Sequence, residues 1–187
     1  MRRRRTQIQL AFCNALLAAS LAGAAHAQDE KYPYRVSALV GLGGPISSGD
    51  GDSSSLDNGT YQLGFAWISD TDILVGVRYG QIDFGDEEGI GGRSGSDLSY
   101  ATIGGEYLFN EGYYVSGVYL GLGWYDVGED DRGEIGSDSA IGLGLGLTGD
   151  FRLTPRFSIL VELSGHYTDL DDADLLAMGH AGVAYRF

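Results

Sequence analysis

The sequence is poor in cysteine, proline and basic residues. Its 187 residues include 1 Cys, 3 Pro, and 12 Lys and Arg against 26 Asp and Glu. Four of the basic residues are Arg2 to Arg5, so the chain after Ala27 keeps 8 basic residues and a formal charge of −18. A surface with this charge repels phosphate, which argues against nucleic acid as a partner. The one cysteine, Cys13, precedes Ala27, so the rest of the chain offers no disulfide, thiolate metal site or cysteine nucleophile.

Residues 1–27 have the pattern of a secretory signal peptide. The charged run Arg2 to Arg5 is followed by an apolar stretch from Leu10 to Leu21 and by the small-residue cleavage site Ala25-His26-Ala27. The alternative, an N-terminal membrane anchor, is disfavoured because Asn14 interrupts the stretch and a spanning helix needs about 20 mostly apolar residues. We therefore expect export, cleavage after Ala27, and one domain over residues 28–187.

The dominant period of the remaining chain is two. From Ile141 to Leu147, Ile or Leu alternates with Gly at every position. A helix would scatter these side chains around its axis and lose about 1 kcal/mol at each Gly relative to Ala, so the segment is predicted to be a strand. The same template fits seven more segments: 34–43, 60–69, 73–84, 97–109, 113–125, 157–168 and 175–187. Strands of about 10 residues cross a bilayer when they are tilted.

The connections alternate between long and short. Three are predicted to be tight turns, at residues 69–72, 110–112 and 153–156, and four to be longer polar loops, at residues 44–59, 85–96, 126–138 and 169–174. Consecutive antiparallel strands with this rhythm put all the long loops on one rim and all the tight turns on the other. The sequence thus predicts an all-β fold, an eight-stranded antiparallel up-and-down transmembrane β-barrel.

The two faces of the strands differ in polarity. One face is aliphatic and uncharged, with Val40, Leu120 and Ile159 among its residues, whereas the other carries the charges. A soluble barrel would point the charged face to water, and the loop rhythm does not exclude that inversion. The aromatic residues favour the membrane orientation, because those of the apolar face fall into two belts that bracket the aliphatic band. The belt at the tight turns comprises Tyr34, Trp67, Tyr107, Phe109, Phe151, Phe157, Tyr185 and Phe187, and the other comprises Tyr61, Tyr79, Trp124 and Tyr167.

The last strand ends in the sequence Ala181-Gly182-Val183-Ala184-Tyr185-Arg186-Phe187. It resembles the C-terminal assembly signal of Gram-negative outer-membrane proteins, in which a terminal Phe follows aromatic or apolar residues at every second position, here Val183 and Tyr185. With the segment from Ile103 to Phe109, the chain after residue 27 resembles the small OmpA/OmpX-type β-barrel superfamily. The resemblance implies a cell-envelope protein of the outer membrane, in contact with its lipid and lipopolysaccharide. It also implies periplasmic chaperones and the outer-membrane assembly machinery as transient partners.

The predicted interior combines many glycines with a set of charged and histidine side chains. An eight-stranded barrel is only just wide enough for its interior side chains to fill it. Glycines facing inward leave room for larger side chains to cross the lumen, or else leave a wet path for small solutes. Because buried charges must be paired or solvated, we expect a polar network that plugs the lumen, with Arg78 paired to Glu106 or Glu162. The predicted network comprises Arg78, Glu106, Asp150, Arg152, Glu162, His166, His180 and Arg186.

Three functions are compatible with this pattern. The first is a structural or porin-like narrow-pore role in a monomeric barrel without catalysis, cofactor or metal. The second is surface recognition through the acidic long loops. The third is hydrolysis of lipid A, since His166-Tyr167-Thr168 is similar to the His-x-Ser element of barrel-type lipid A deacylases. Thr stands there where the family has Ser, and Asp169 where it has Asn. Alternate residues of this strand, which here are Glu162, Ser164, His166 and Thr168, are about 6.6–6.8 Å apart, too far for a direct nucleophile–base hydrogen bond without help from a neighbouring strand.

Overall fold

The structure is a computed structural model, and it describes residues 32–46, 56–69, 73–84, 97–109, 114–128, 138–170 and 173–187. The predicted signal peptide lies outside these ranges. The described part of the chain forms eight strands: β1 (Tyr34–Pro45), β2 (Asn58–Ile68), β3 (Ile73–Asp83), β4 (Asp97–Phe109), β5 (Tyr114–Val127), β6 (Asp138–Arg152), β7 (Phe157–Leu170) and β8 (Ala173–Arg186). Within the same ranges, no helix has the length and apolar character needed to cross a membrane.

The eight strands close into one barrel. Each strand pairs antiparallel with the next in the chain, and β8 returns to β1 in a register that runs from Arg35 opposite Arg186 to Pro45 opposite Leu176. Closure leaves none of these strands as an exposed edge, which an open sheet of this length would have to protect. The predicted fold class, an eight-stranded antiparallel up-and-down barrel, is confirmed.

The strands extend further toward the long loops than predicted. β5 reaches Val127 and β6 begins at Asp138, so the third long loop is shorter. The fourth predicted long loop, residues 169–174, is wrong, because only residues 171–172 separate β7 from β8. The physical reason is that these strand ends project beyond the apolar band. Water solvates the outward carboxylates there, so an acidic residue can lie within a strand and does not mark its end.

The apolar face of the barrel points outward. Ile141 and Leu163 are 75% and 67% exposed, whereas Glu106 and Glu162 are 3% and 2% exposed. A water-soluble protein does the reverse with these residue types. The inverted, soluble barrel is therefore excluded, and the aliphatic band is a hydrocarbon-facing surface.

Candidate functional site

The candidate site is the interior of the barrel. Along each strand every second side chain points inward, so the alternation that keeps aliphatic residues outside sends Arg35 and Arg78, from β1 and β3, into the lumen. The same alternation sends Glu106 of β4 and Glu162 of β7 inward. Four of the eight strands thus contribute charges to one enclosed space.

These charges form a connected group near the middle of the barrel. An Nη2 atom of Arg35 lies 2.7 Å from Glu106 Oε2, and Arg78 Nη2 lies 3.4 Å from the same oxygen. Arg78 Nη1 lies 2.8 Å from the Glu162 carboxylate. The Thr148 hydroxyl donates a 2.5 Å hydrogen bond to Glu106 Oε1. Arg78, expected to pair with one of the two glutamates, contacts both.

A second group lies at the tight-turn end. Arg186 forms a buried ion pair with Asp150, and Arg35 Nη1 lies 3.8 Å from the same carboxylate. Arg152, predicted to belong to the network, is exposed at the end of β6 and is not among the buried charges, because the strand leaves the lumen at that point. The interior charges therefore balance. We call the buried residues Arg35, Glu106, Asp150, Glu162 and Arg186, with the partly buried Arg78, the ionic layer.

The two predicted histidines lie on the loop side of this group. His166 Nε2 is 3.1 Å from Ser164 Oγ, and His166 Nδ1 is 2.6 Å from the Tyr125 hydroxyl. The expectation that Ser164 and His166 are too far apart for contact is wrong, because the imidazole folds along its own strand and shortens the gap left by backbone spacing. His180 Nε2 lies 3.3 Å from Thr60 Oγ1. A serine beside an imidazole is the arrangement of an activated nucleophile, but here both side chains are buried.

The loop-side part of the lumen also holds a large apolar cluster, which the sequence did not lead us to expect. Nine buried residues form one cluster, which we call the loop-side apolar layer: Ile82, Phe84, Leu98, Tyr100, Tyr125, Val127, Leu170, Leu176 and Met178. Its signal was present in the sequence. Positions such as Ile82 and Leu98 have the inward parity of their strands yet carry large apolar side chains. Extending the face assignment to the strand ends would have found the layer.

Interior tyrosines explain several of the inward glycines. The Arg78 guanidinium lies 3.5 Å from the centre of the Tyr119 ring, and the Tyr119 hydroxyl donates a 2.7 Å hydrogen bond to Thr102. A Cβ atom on Gly121 would overlap the Tyr119 hydroxyl, and one on Gly80 would overlap the Tyr100 ring. At these positions glycine gives a tyrosine the room to cross the lumen.

A cavity of about 20 Å³ is lined by Arg35, Ser37, Arg78, Glu106 and Tyr119, among others. This volume accommodates a water-sized molecule. Among the described residues no three His, Cys, Asp or Glu side chains are grouped to hold a metal ion. Most of the acidic loop residues lie outside the described ranges.

The predicted assembly signal lies at the seam of the barrel. The backbones of Phe187 and Tyr34 exchange hydrogen bonds of 3.0 and 3.1 Å, which ties the last residue to the first strand. Val183 is exposed on the outer face, and the rings of Tyr185 and Phe187 stack with their centres 6.3 Å apart. The three side chains thus form one strip on the outer face of the closing strand.

Solved structures match this barrel, whereas no protein-family model and no curated protein matches the sequence. Neisserial surface protein A (NspA) is 17% identical, with a TM-score of 0.64 over 82% of this chain and 97% of its own. Ail, the attachment invasion locus protein of Yersinia pestis, is 22% identical, with a TM-score of 0.54 over 83% and 99%. The outer membrane enzyme PagL is 17% identical, with a TM-score of 0.50 over 82% and 99%. The fold of these structures is the one that the sequence resemblance implied. Because proteins with different roles share this fold, the fold does not give the role of this chain, which depends on the residues in its interior.

Proposed function

We propose that this chain is a structural protein of the outer membrane whose lumen is closed. The observation that carries the proposal is the filling of the lumen, in which the loop-side apolar layer and the ionic layer lie one above the other. An eight-stranded barrel has just enough interior for side chains to fill it, so two packed layers leave no room for a continuous channel. Of the two roles that the sequence left open, anchor or narrow pore, this packing favours the anchor.

The charge balance of the interior supports the same conclusion. The ionic layer contains three arginines and three carboxylates, and each arginine contacts at least one carboxylate. Ion-selective pores line their narrowest part with an excess of one charge. A neutral, mutually bonded set instead stabilises the walls against each other across the lumen.

Single-channel recording in planar bilayers tests the proposal. Refolded parent protein is expected to give no discrete openings, and so is the charge-balanced variant Arg78→Ala/Glu162→Ala, because the loop-side apolar layer still closes the lumen. Adding Ile82→Gly and Leu176→Gly to that variant removes two side chains from each layer and is expected to produce openings. Insertion of every variant is checked by the heat-dependent gel shift of a folded barrel. Discrete openings of the parent would refute the closed lumen.

We further propose that the protein is not an enzyme. Ser164 and His166 point into the lumen, and the rings of Tyr100 and Tyr125 pack with their centres 5.6 and 5.7 Å from the imidazole. In this proposal the burial of both side chains, which are 7% and 1% exposed, keeps them from reacting with a lipid at the outer face. The lipid A mass spectrum of cells that overproduce the protein is therefore expected to be unchanged, and loss of an acyl chain would overturn this part of the proposal.

The partners in this proposal are those of an outer-membrane barrel. The hydrocarbon-facing band requires membrane lipid, and the strip of Val183, Tyr185 and Phe187 is a suitable signal for the assembly machinery after transport by periplasmic chaperones. Barrel closure within a single chain supports a monomer. The acidic loops, on which a surface-recognition role would depend, lie mostly outside the described residues.

A further inference from the structure

A concave groove lies on the outer face of the barrel, across β2 to β6. Its volume is about 570 Å³, and its walls include Ile103, Leu122 and the rings of Tyr79 and Trp124. The register places Ala101 of β4 directly between Tyr79 of β3 and Trp124 of β5. The groove exists because Ala101, which has only a methyl group as its side chain, lies in a cross-strand row between the much larger Tyr79 and Trp124.

The adjacent row on the loop side is polar. Cross-strand pairing places Gln81, Ser99, Asp126 and Ser139 side by side on β3 to β6. At the β2–β4 end of this rim the side chains are fixed by hydrogen bonds. The Tyr61 hydroxyl donates to Gln81 Oε1 at 2.7 Å, and Gln81 Nε2 donates to Asp97 Oδ2 at 2.6 Å. The exposed carboxylate of Asp126 lies in the same row, next to Trp124 along β5.

We propose that this groove is a binding site for one membrane lipid. One acyl chain lies over Ala101 between Tyr79 and Trp124, and an ethanolamine-type head group, which donates N–H bonds, lies on Ser99 and Asp126. Two observations select this occupant. The groove is continuous with the hydrocarbon-facing band, and its rim, next to the aromatic belt that contains Tyr79 and Trp124, offers the Ser99 hydroxyl and the exposed Asp126 carboxylate as acceptors.

The physical basis is fit and hydrogen bonding. Lipid chains are as apolar as leucine, so an acyl chain gains no hydrophobic free energy by leaving its neighbours for the groove. It gains van der Waals contact with walls on both sides, which a flat surface does not provide. Selectivity among lipids then comes from the rim, where carboxylates attract ammonium or hydroxyl donors and repel a bare phosphate.

The two tryptophans of the chain make the proposal testable, because Trp124 lines the groove and Trp67 lies in the belt at the tight turns. Each is made the only reporter by Trp67→Phe or Trp124→Phe. The protein is reconstituted in phosphatidylcholine vesicles that contain a small fraction of brominated phosphatidylethanolamine or, for comparison, brominated phosphatidylcholine. Ethanolamine supplies N–H donors and choline does not. We expect the ethanolamine lipid to associate with the groove at Trp124 about 3- to 10-fold more strongly than the choline lipid does, which corresponds to the net contribution of one hydrogen bond. Trp67 is expected to show no preference between the two lipids.

Matched substitutions decide whether the groove is responsible. Ala101→Leu fills the groove and is expected to abolish the preference, whereas Ala181→Leu, the same change on the outer face of β8, is expected to keep it. Asp126→Asn is expected to weaken the quenching of Trp124 by the ethanolamine lipid and to leave its quenching by the choline lipid unchanged. Equal quenching of Trp124 by both lipids, or a preference that survives Ala101→Leu, would overturn the proposal. If both lipids quench Trp124 less than their fraction in the vesicle predicts, the proposal is also overturned, because a second copy of the protein would then cover the groove.

Discussion

Removing the Glu106 carboxylate should destabilise the barrel strongly. Glu106 is 3% exposed and holds Arg35 at 2.7 Å, Arg78 at 3.4 Å and the Thr148 hydroxyl. Deleting one partner of a buried ion pair typically costs about 3–5 kcal/mol. Both arginines keep a second carboxylate, at 3.8 Å from Arg35 and 2.8 Å from Arg78. We therefore expect Glu106→Ala to lower the free energy of unfolding by about 3 kcal/mol, the lower end of that range.

The measurement is urea unfolding of the refolded barrel in detergent micelles, followed by tryptophan fluorescence and extrapolated to zero urea. The double variant Arg35→Met/Glu106→Met removes both charges, and apolar replacement of a buried pair is often close to neutral. We expect it to recover more than half of the loss. A loss below about 1 kcal/mol for Glu106→Ala would mean that water solvates the carboxylate and that the lumen is open. A double variant no more stable than the single one would mean that shape, not charge, accounts for the effect.

Two further predictions follow from the structure. Gly104→Ala should lower the free energy of unfolding by about 1–3 kcal/mol in the same urea assay, because the new Cβ atom would lie 2.6 Å from the Gly121 Cα. Gly105→Ala should be nearly neutral, because the nearest neighbour of its Cβ atom would be 3.8 Å away. Equal effects of the two substitutions would contradict the steric role of the inward glycines. Phe187→Ala should reduce the amount of folded barrel in the outer membrane of cells while the purified variant still refolds in detergent. Failure to refold would assign the residue to stability rather than to recognition by the assembly machinery.

The fold was predictable because its signals are local. In the segment from Ile141 to Leu147, for example, the period of two, with glycine at every inward position and an aliphatic residue at every outward one, is visible without the rest of the chain. The strand ends were less predictable, because acidic residues such as Asp126 and Asp138 have the composition of loops. Pairing with a neighbouring strand, which no single segment contains, is what keeps them in the sheet.

The interior was only partly predictable. Parity along the strands placed Glu106, Glu162 and His166 in the lumen, but not their distances from one another. The contact between Ser164 and His166 depends on side-chain rotation, and the exposure of Arg152 depends on where β6 leaves the lumen. Neither is encoded in the spacing of residues along the chain.

By itself the sequence determined which side chains share a face of each strand, since that depends only on the alternation along the backbone, and the two aromatic belts predicted which face meets hydrocarbon. The tertiary structure alone decided what the closed barrel contains. Arg35 meets Glu106 across 71 residues of sequence, and Arg78 meets Glu162 across 84. Such contacts exist only when the register of all eight strands is fixed, because sliding one strand by a single residue would turn its inward charges toward the lipid.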